Sequence, residues 1–157
     1  MICGLVGDDM ADIQRKSENL FDGIVRNAII NDSTGEETPN ANWRCSNFIE
    51  ISAEKVTLSW TSDSQFFQAK LGYYEADETF ISTQTIQGYF YSGTFTIPNN
   101  CKYIKMSYSV VASGSQVTRE NIMLNTGETA LPYEPYWSHS LKKYDGAAWQ
   151  NATVHEF

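Results

Sequence analysis

The chain is poor in cations. Eleven Lys and Arg stand against 19 Asp and Glu among 157 residues, a net charge of −8. Nucleic-acid binding needs clustered cations to neutralise phosphates. Only Arg15-Lys16 and Lys142-Lys143 are adjacent here, which sets nucleic acid aside as a partner. Long apolar runs are also missing: none approaches the roughly 20 residues of a membrane-spanning helix. The first ten residues, MICGLVGDDM, lack the basic start and apolar stretch of a signal peptide. The expectation is a chain with no membrane partner and no signal peptide. Cysteine is scarce too. Cys3, Cys45 and Cys101 cannot all pair within one chain, and no CxxC spacing occurs, which argues against zinc. Three free thiols packed as small apolar groups is the expectation. Cys45 beside Arg44 leaves open a thiol of lowered pKa as the alternative to a buried, inert one.

The chemistry of catalysis is thin as well. Only His139 and His155 are present, and GxGxxG, P-loop and HExxH motifs are absent. Glu36-Glu37 lies in a polar stretch and reads as solvated. The expectation is a protein that is not an enzyme.

What is abundant is aromatic surface. Nine Tyr, eight Phe and four Trp make 13% of the chain, beside only 19% charged residues, a balance that favours sheet over helix. Residues 8–20, DDMADIQRKSENL, predict a short N-terminal helix, with acids in its first turn, Arg15-Lys16 near its end, and a thin stripe of Met10, Ile13 and Leu20. GIVRNAIIN, 23–31, predicts strand through its Ile and Val content. NDSTGEETPNAN, 31–42, predicts a loop. From residue 46 onward the apolar period is two. Ile49 and Ile51 share a face. So do Val56, Leu58 and Trp60; Phe67, Ala69, Leu71 and Tyr73; Phe95 and Ile97; and Ile104, Met106, Tyr108 and Val110. Strands spaced by about ten residues, punctuated by Gly, Asn, Asp and Pro, read as an antiparallel β-sandwich. In LKKYDGAAWQNATVHEF, 141–157, Asp145-Gly146 predicts a two-residue hairpin turn.

Several segments in order carry a family resemblance: ENLFDG (18–23), SNFIEIS (46–52), VTLSW (56–60), GYYEADETFIS (72–82), FTIPNNCKYIKMS (95–107) and NIMLNTGETALPYEPY (121–136). This pattern resembles the carbohydrate-binding-module-like jelly-roll domains, of galactose-binding type, found in tail and baseplate-associated proteins of phages and prophages. MLNTGETALPYEPY is its most specific part. The C-terminal LKKYDGAAWQNATVHEF looks like the small hairpin segments that follow such domains. The resemblance implies an all-β fold: a jelly-roll β-sandwich over 18–137, between an N-terminal helical segment (1–17) and a C-terminal hairpin appendage (138–157). It implies a structural or binding protein of a virion tail, assembled in the host cytoplasm. Partners would be other tail proteins and further copies of the chain, with a trimer favoured by analogy with tail appendages. A free-standing glycan-binding module or adhesin, recognising a cell-surface polysaccharide, is the alternative.

Two sites follow as expectations. Sugars have apolar C–H faces, and proteins bind them with flat rings beside amide, guanidinium and carboxylate groups. Trp43, Tyr74, Tyr89 and Tyr91 supply such rings, with Arg44, Gln68 and Lys70 as polar neighbours. Tyr74, Gln68 and Lys70 share one side of a strand, and a wet aromatic face results if the Tyr89 strand lies beside it; plain packing or subunit contact is the competing reading. Second, Pro132 and Pro135 fix φ and remove donors, so ALPYEPY reads as a stiff extended exit. The resemblance implies first and last strands that lie close, hence ALPYEPY closing against ENLFDG with Phe21 and Tyr133 at the seam. A structural calcium held by Glu18, Asp22 and Glu134 is the functional alternative there. No cofactor beyond that calcium is expected.

Overall fold

The computed structural model describes residues 15–64, 66–89, 91–136, 138–144 and 149–153. These residues are all-β, with no helix among them. The strands are β1 (Arg15–Lys16), β2 (Val25–Arg26), β3 (Ala28–Ile30), β4 (Glu37–Pro39), β5 (Trp43–Ser46), β6 (Ile49–Glu50), β7 (Lys55–Ser62) and β8 (Phe66–Tyr74), then β9 (Phe80–Tyr89), β10 (Ser92–Thr96), β11 (Tyr103–Ser109), β12 (Val111–Ala112), β13 (Ser115–Gln116), β14 (Arg119–Thr126), β15 (Ser138–Tyr144) and β16 (Trp149–Thr153).

The chain forms two compact units, one of Glu18–Tyr136 and one that joins Met1–Ser17 to Trp137–Phe157. In the larger unit, one sheet runs β2-β5-β11-β8-β9, with β6 also paired to β11, and a second runs β10-β7-β14. All the pairings are antiparallel. Side chains of both sheets meet in one core, the arrangement of a β-sandwich. Val56, Leu58 and Trp60 of β7 and Leu124 of β14 face Phe67, Ala69, Leu71 and Tyr73 of β8 and Ile104 and Met106 of β11, all buried. The period-two pattern is the cause: alternate residues of a strand point to one face. Inside the core Trp60 stacks on Phe67 with centroids 3.7 Å apart, and Phe67 stacks in turn on Tyr108 at 6.4 Å.

Two expectations change. A helix over 8–20 is not formed by the described part of that stretch. Arg15–Lys16 is a strand paired with β15, and Leu20 donates its amide to the Leu124 carbonyl at 2.7 Å. So short and thinly apolar a segment gains more from a sheet edge than from a marginal helix. Residues 8–14 lie outside the described residues. Second, the expected loop at 31–42 contains β4, which pairs with β3 into a small hairpin. β15 and β16 form the expected C-terminal strand pair, and its register sets Tyr144 opposite Trp149. The predicted Asp145-Gly146 turn itself lies outside the described residues.

Candidate functional site: an aromatic cleft at the seam of the sandwich

The seam between the entering and leaving chain is built around one amide. Asn19 is 2% exposed. Its Nδ2 donates to the carbonyls of Ile122 and Glu134, both at 3.1 Å. Its Oδ1 accepts from the amides of Phe21 and Leu124, also at 3.1 Å. One side chain therefore ties the entry segment, β14 and the proline-bounded exit together, and buried polar groups so satisfied hold a unique geometry. The Glu134 carboxylate accepts from the Glu18 amide. Asp22 Oδ1 accepts from the Ile24 amide at 2.9 Å, in a turn with Gly23 at φ 76°.

These elements frame a cleft of about 360 Å³, lined by Asn19, Phe21, Asp22, Gly23, Tyr108, Arg119, Asn121, Ile122, Tyr133, Pro135 and Tyr136. Phe21, Tyr108 and Ile122 are buried apolar surface. Tyr133 and Tyr136 stand 47% and 42% exposed, held out by the stiff backbone that Pro132 and Pro135 impose. Two features aim polar groups at this space. The β14–β7 register shifts between Glu120 and Met123, and Asn121 within that bulge takes a left-handed φ of 50°. Bulges re-aim side chains next to sites, and a strained backbone of this kind gathers at functional positions. Asn121 Nδ2 donates to Thr61 Oγ1 at 3.1 Å, and this directs the amide.

Arg119 is the second feature. It donates to the carbonyls of Ser109 (3.2 Å), Ser64 (3.0 Å) and Phe66 (2.6 Å) and to the Ser62 hydroxyl. Its guanidinium carbon lies 5.2 Å from the Phe67 ring centroid. Burial lowers its pKa from the ordinary 12.5, and the group remains a cation because arginine cannot be deprotonated in proteins. No carboxylate among the described residues forms an ion pair with it. The cleft thus combines tyrosine faces, an amide, a carboxylate and a positively charged rim.

The seven sugar-contact candidates do not gather there, nor into one open face. Trp43, Gln68 and Lys70 share the outer face of the six-stranded sheet, but the β3–β4 hairpin lies over part of it. Lys70 Nζ is 2.8 Å from Asp32 Oδ2, 3.4 Å from the Ile30 carbonyl and 6.0 Å from the Trp43 ring centroid. Trp43 is buried. Tyr74, expected in water, is buried as well, its hydroxyl donating to the Gly35 carbonyl at 2.6 Å. The expected wet face is corrected at these two residues, both buried, with Tyr74 bonded to the segment read as a solvated loop. Gln68 meets Gln87 across β8–β9 at 3.4 Å. Arg44 belongs to the alternate set of β5 side chains and donates to the Ala41 and Trp43 carbonyls. Tyr89 and Tyr91 are 76% and 47% exposed, with Tyr89 against Phe66 at 5.3 Å.

The calcium expectation is also corrected. Among the described residues no three His, Cys, Asp or Glu side chains gather closely enough to hold a metal ion. Glu134 and Asp22 instead accept backbone amides. Cys45 and Cys101 are free thiols. Burial pushes the Cys45 pKa up to about 11, so of the two readings of Cys45 the buried, inert one describes it.

No family model, curated protein or solved structure matches this chain.

Proposed function

We propose that this chain is a non-catalytic structural and binding protein of a phage or prophage tail, and that its body is a jelly-roll of carbohydrate-binding type that takes a saccharide in the seam cleft. The tail assignment, the virion location and the association with other tail proteins and further copies of the chain rest on the quoted sequence segments, above all MLNTGETALPYEPY. The observation that carries the binding reading is the cleft itself. Tyr133 and Tyr136 offer exposed ring faces for sugar C–H groups, and Arg119, Asn121 and Asp22 line the same space with hydrogen-bonding groups. A cleft of this size suits a small ligand. The jelly-roll topology is supported by the repeated passage of the chain between the two sheets, as from β9 in one to β10 in the other.

The test is a glycan array followed by calorimetry with the best sugar. Tyr136→Ala and Tyr133→Ala each weaken binding by at least about tenfold, since a hot-spot ring covered on binding contributes about 2 kcal/mol or more, while the melting temperature stays unchanged because both rings are exposed in the free protein. Absence of any binding at millimolar sugar sinks the saccharide reading. The cleft is complete within Glu18–Tyr136, which favours a second reading, a free-standing glycan-binding adhesin. Mass spectrometry of purified particles separates the two: the tail reading requires the chain in the particle.

A further inference from the structure

The ends of the six-stranded sheet are treated differently. At one end stands β2, two residues long and carrying Arg26. At the other stands β9, ten residues long, FISTQTIQGY. It pairs with β8 from Phe66↔Tyr89 to Tyr74↔Phe80, and the only register shift lies at its start. No strand among the described residues pairs with its other edge. Between Phe80 and Tyr89 there is no Lys, Arg, Asp, Glu or Pro. Proteins ordinarily protect an open edge by shortness, charge, proline or a bulge, because its free N–H and C=O groups template another strand. β9 has none of these over Ser82–Tyr89, a run of about 26 Å at the usual rise.

The geometry points to β9 as an interface with a second copy of this chain, paired antiparallel about a two-fold axis so that two six-stranded sheets become one. The chain's net charge of −8 works against self-association in general, and β9 is a long strand where two copies can meet with no charge opposed. Side chains argue for this occupant. Antiparallel pairing brings the Tyr89 end of one β9 beside the Phe80–Ile81 end of the other. Tyr89 is the most exposed large apolar side chain described, and Phe80 and Ile81 are half-buried. Exposed tyrosine at the end of an open edge supplies the aromatic anchor that strand addition uses beside its main-chain hydrogen bonds. The contact is isologous. It gives dimers, or hexamers if the chain also forms the trimers that the tail resemblance implies.

Sedimentation of the full chain across the micromolar range, with hydrogen exchange on the same samples, tests it. The expected result is an even-numbered oligomer in which protection of the 80–89 amides rises with protein concentration. Thr85→Glu faces Lys70 across the β8–β9 ladder, which keeps the single chain folded while setting like charges against each other between copies. It weakens self-association severalfold. Gln87→Glu, opposite Ser82–Thr83 of the copy, also weakens it, by placing a charge in the new ladder. A monomer throughout the range overturns the inference. So does an oligomer whose 80–89 amides stay unprotected, or one that both variants leave intact. None of these outcomes depends on whether a saccharide binds the cleft.

Discussion

The inner face of the six-stranded sheet is covered throughout and its outer face in part, by different physics. The inner face is apolar: Phe67, Leu71, Ile104 and Met106 are fully buried against the opposing sheet. The outer face joins a small apolar cluster of Ala28, Ile30 and Cys45 to half-buried charged groups. Glu37 of β4 pairs with both Arg26 and Lys105, and Lys105 Nζ lies 4.0 Å from the Phe48 ring centroid. Tyr74 reaches through to the Gly35 carbonyl. Burial of apolar area is non-directional and indifferent to pH. Charge-assisted bonds depend on geometry and on ionisation. The first face gives the sandwich its stability, and the second fixes where one small hairpin sits.

Phe67→Ala is the strongest way to break that contrast. It removes the ring between Trp60 and Tyr108 and costs about 3–5 kcal/mol in urea unfolding, equally at pH 7 and pH 4. On the outer face the largest effect belongs to Gly35→Ala. Gly35 has φ +70°, and an added Cβ would meet Phe80 Cδ2 at 2.2 Å. Left-handed strain and overpacking together cost about 2–3 kcal/mol, and thermal unfolding measures it.

Glu37→Gln is the mildest, about 1 kcal/mol at neutral pH, because one of its two partners, Arg26, is partly solvated. It also sharpens the contrast through pH. The hydrogen bond from Arg26, then that from Lys105, lowers the Glu37 pKa from the ordinary 4.5. A carboxyl with a lowered folded value binds its proton less readily folded than unfolded, so its contribution is complete above the ordinary value and is lost as pH falls through the lowered one. The gap between wild type and Glu37→Gln therefore closes on acidification below pH 4.5. A gap that persists unchanged there would show that the Glu37 carboxylate does not stabilise this face.

The inner face was legible in the sequence because it is a local signal. Val56, Leu58 and Trp60, or Ile104 and Met106, declare their side of the sheet within a few residues. The outer face was not legible. Tyr74 and Trp43 are buried although alternation assigns such positions to water, and Tyr74 is covered by groups distant in the chain: the Gly35 carbonyl, Phe48 and Phe80. The one apolar hint in segment 28–39, Ala28 and Ile30 packed with Cys45, is indistinguishable in the sequence from an ordinary strand. The cleft draws on four segments far apart in the chain, so no spacing rule reaches it. Two of its walls were singled out, ENLFDG and ALPYEPY, as a structural clasp. The overlooked cue is Asn121 before the apolar run Ile122-Met123-Leu124, a residue type that tolerates the left-handed backbone of a bulge.

The amide of Asn19 has a consequence for how such a body travels among proteins. It stitches the first residues of the sandwich to the last, with Glu18 and Glu134 in direct contact, so both connections leave from the same spot. A fold closed in this way is a cassette. It can be grafted at a chain's tip, in mid-chain or in tandem, and its host need only bring two ends together at one point.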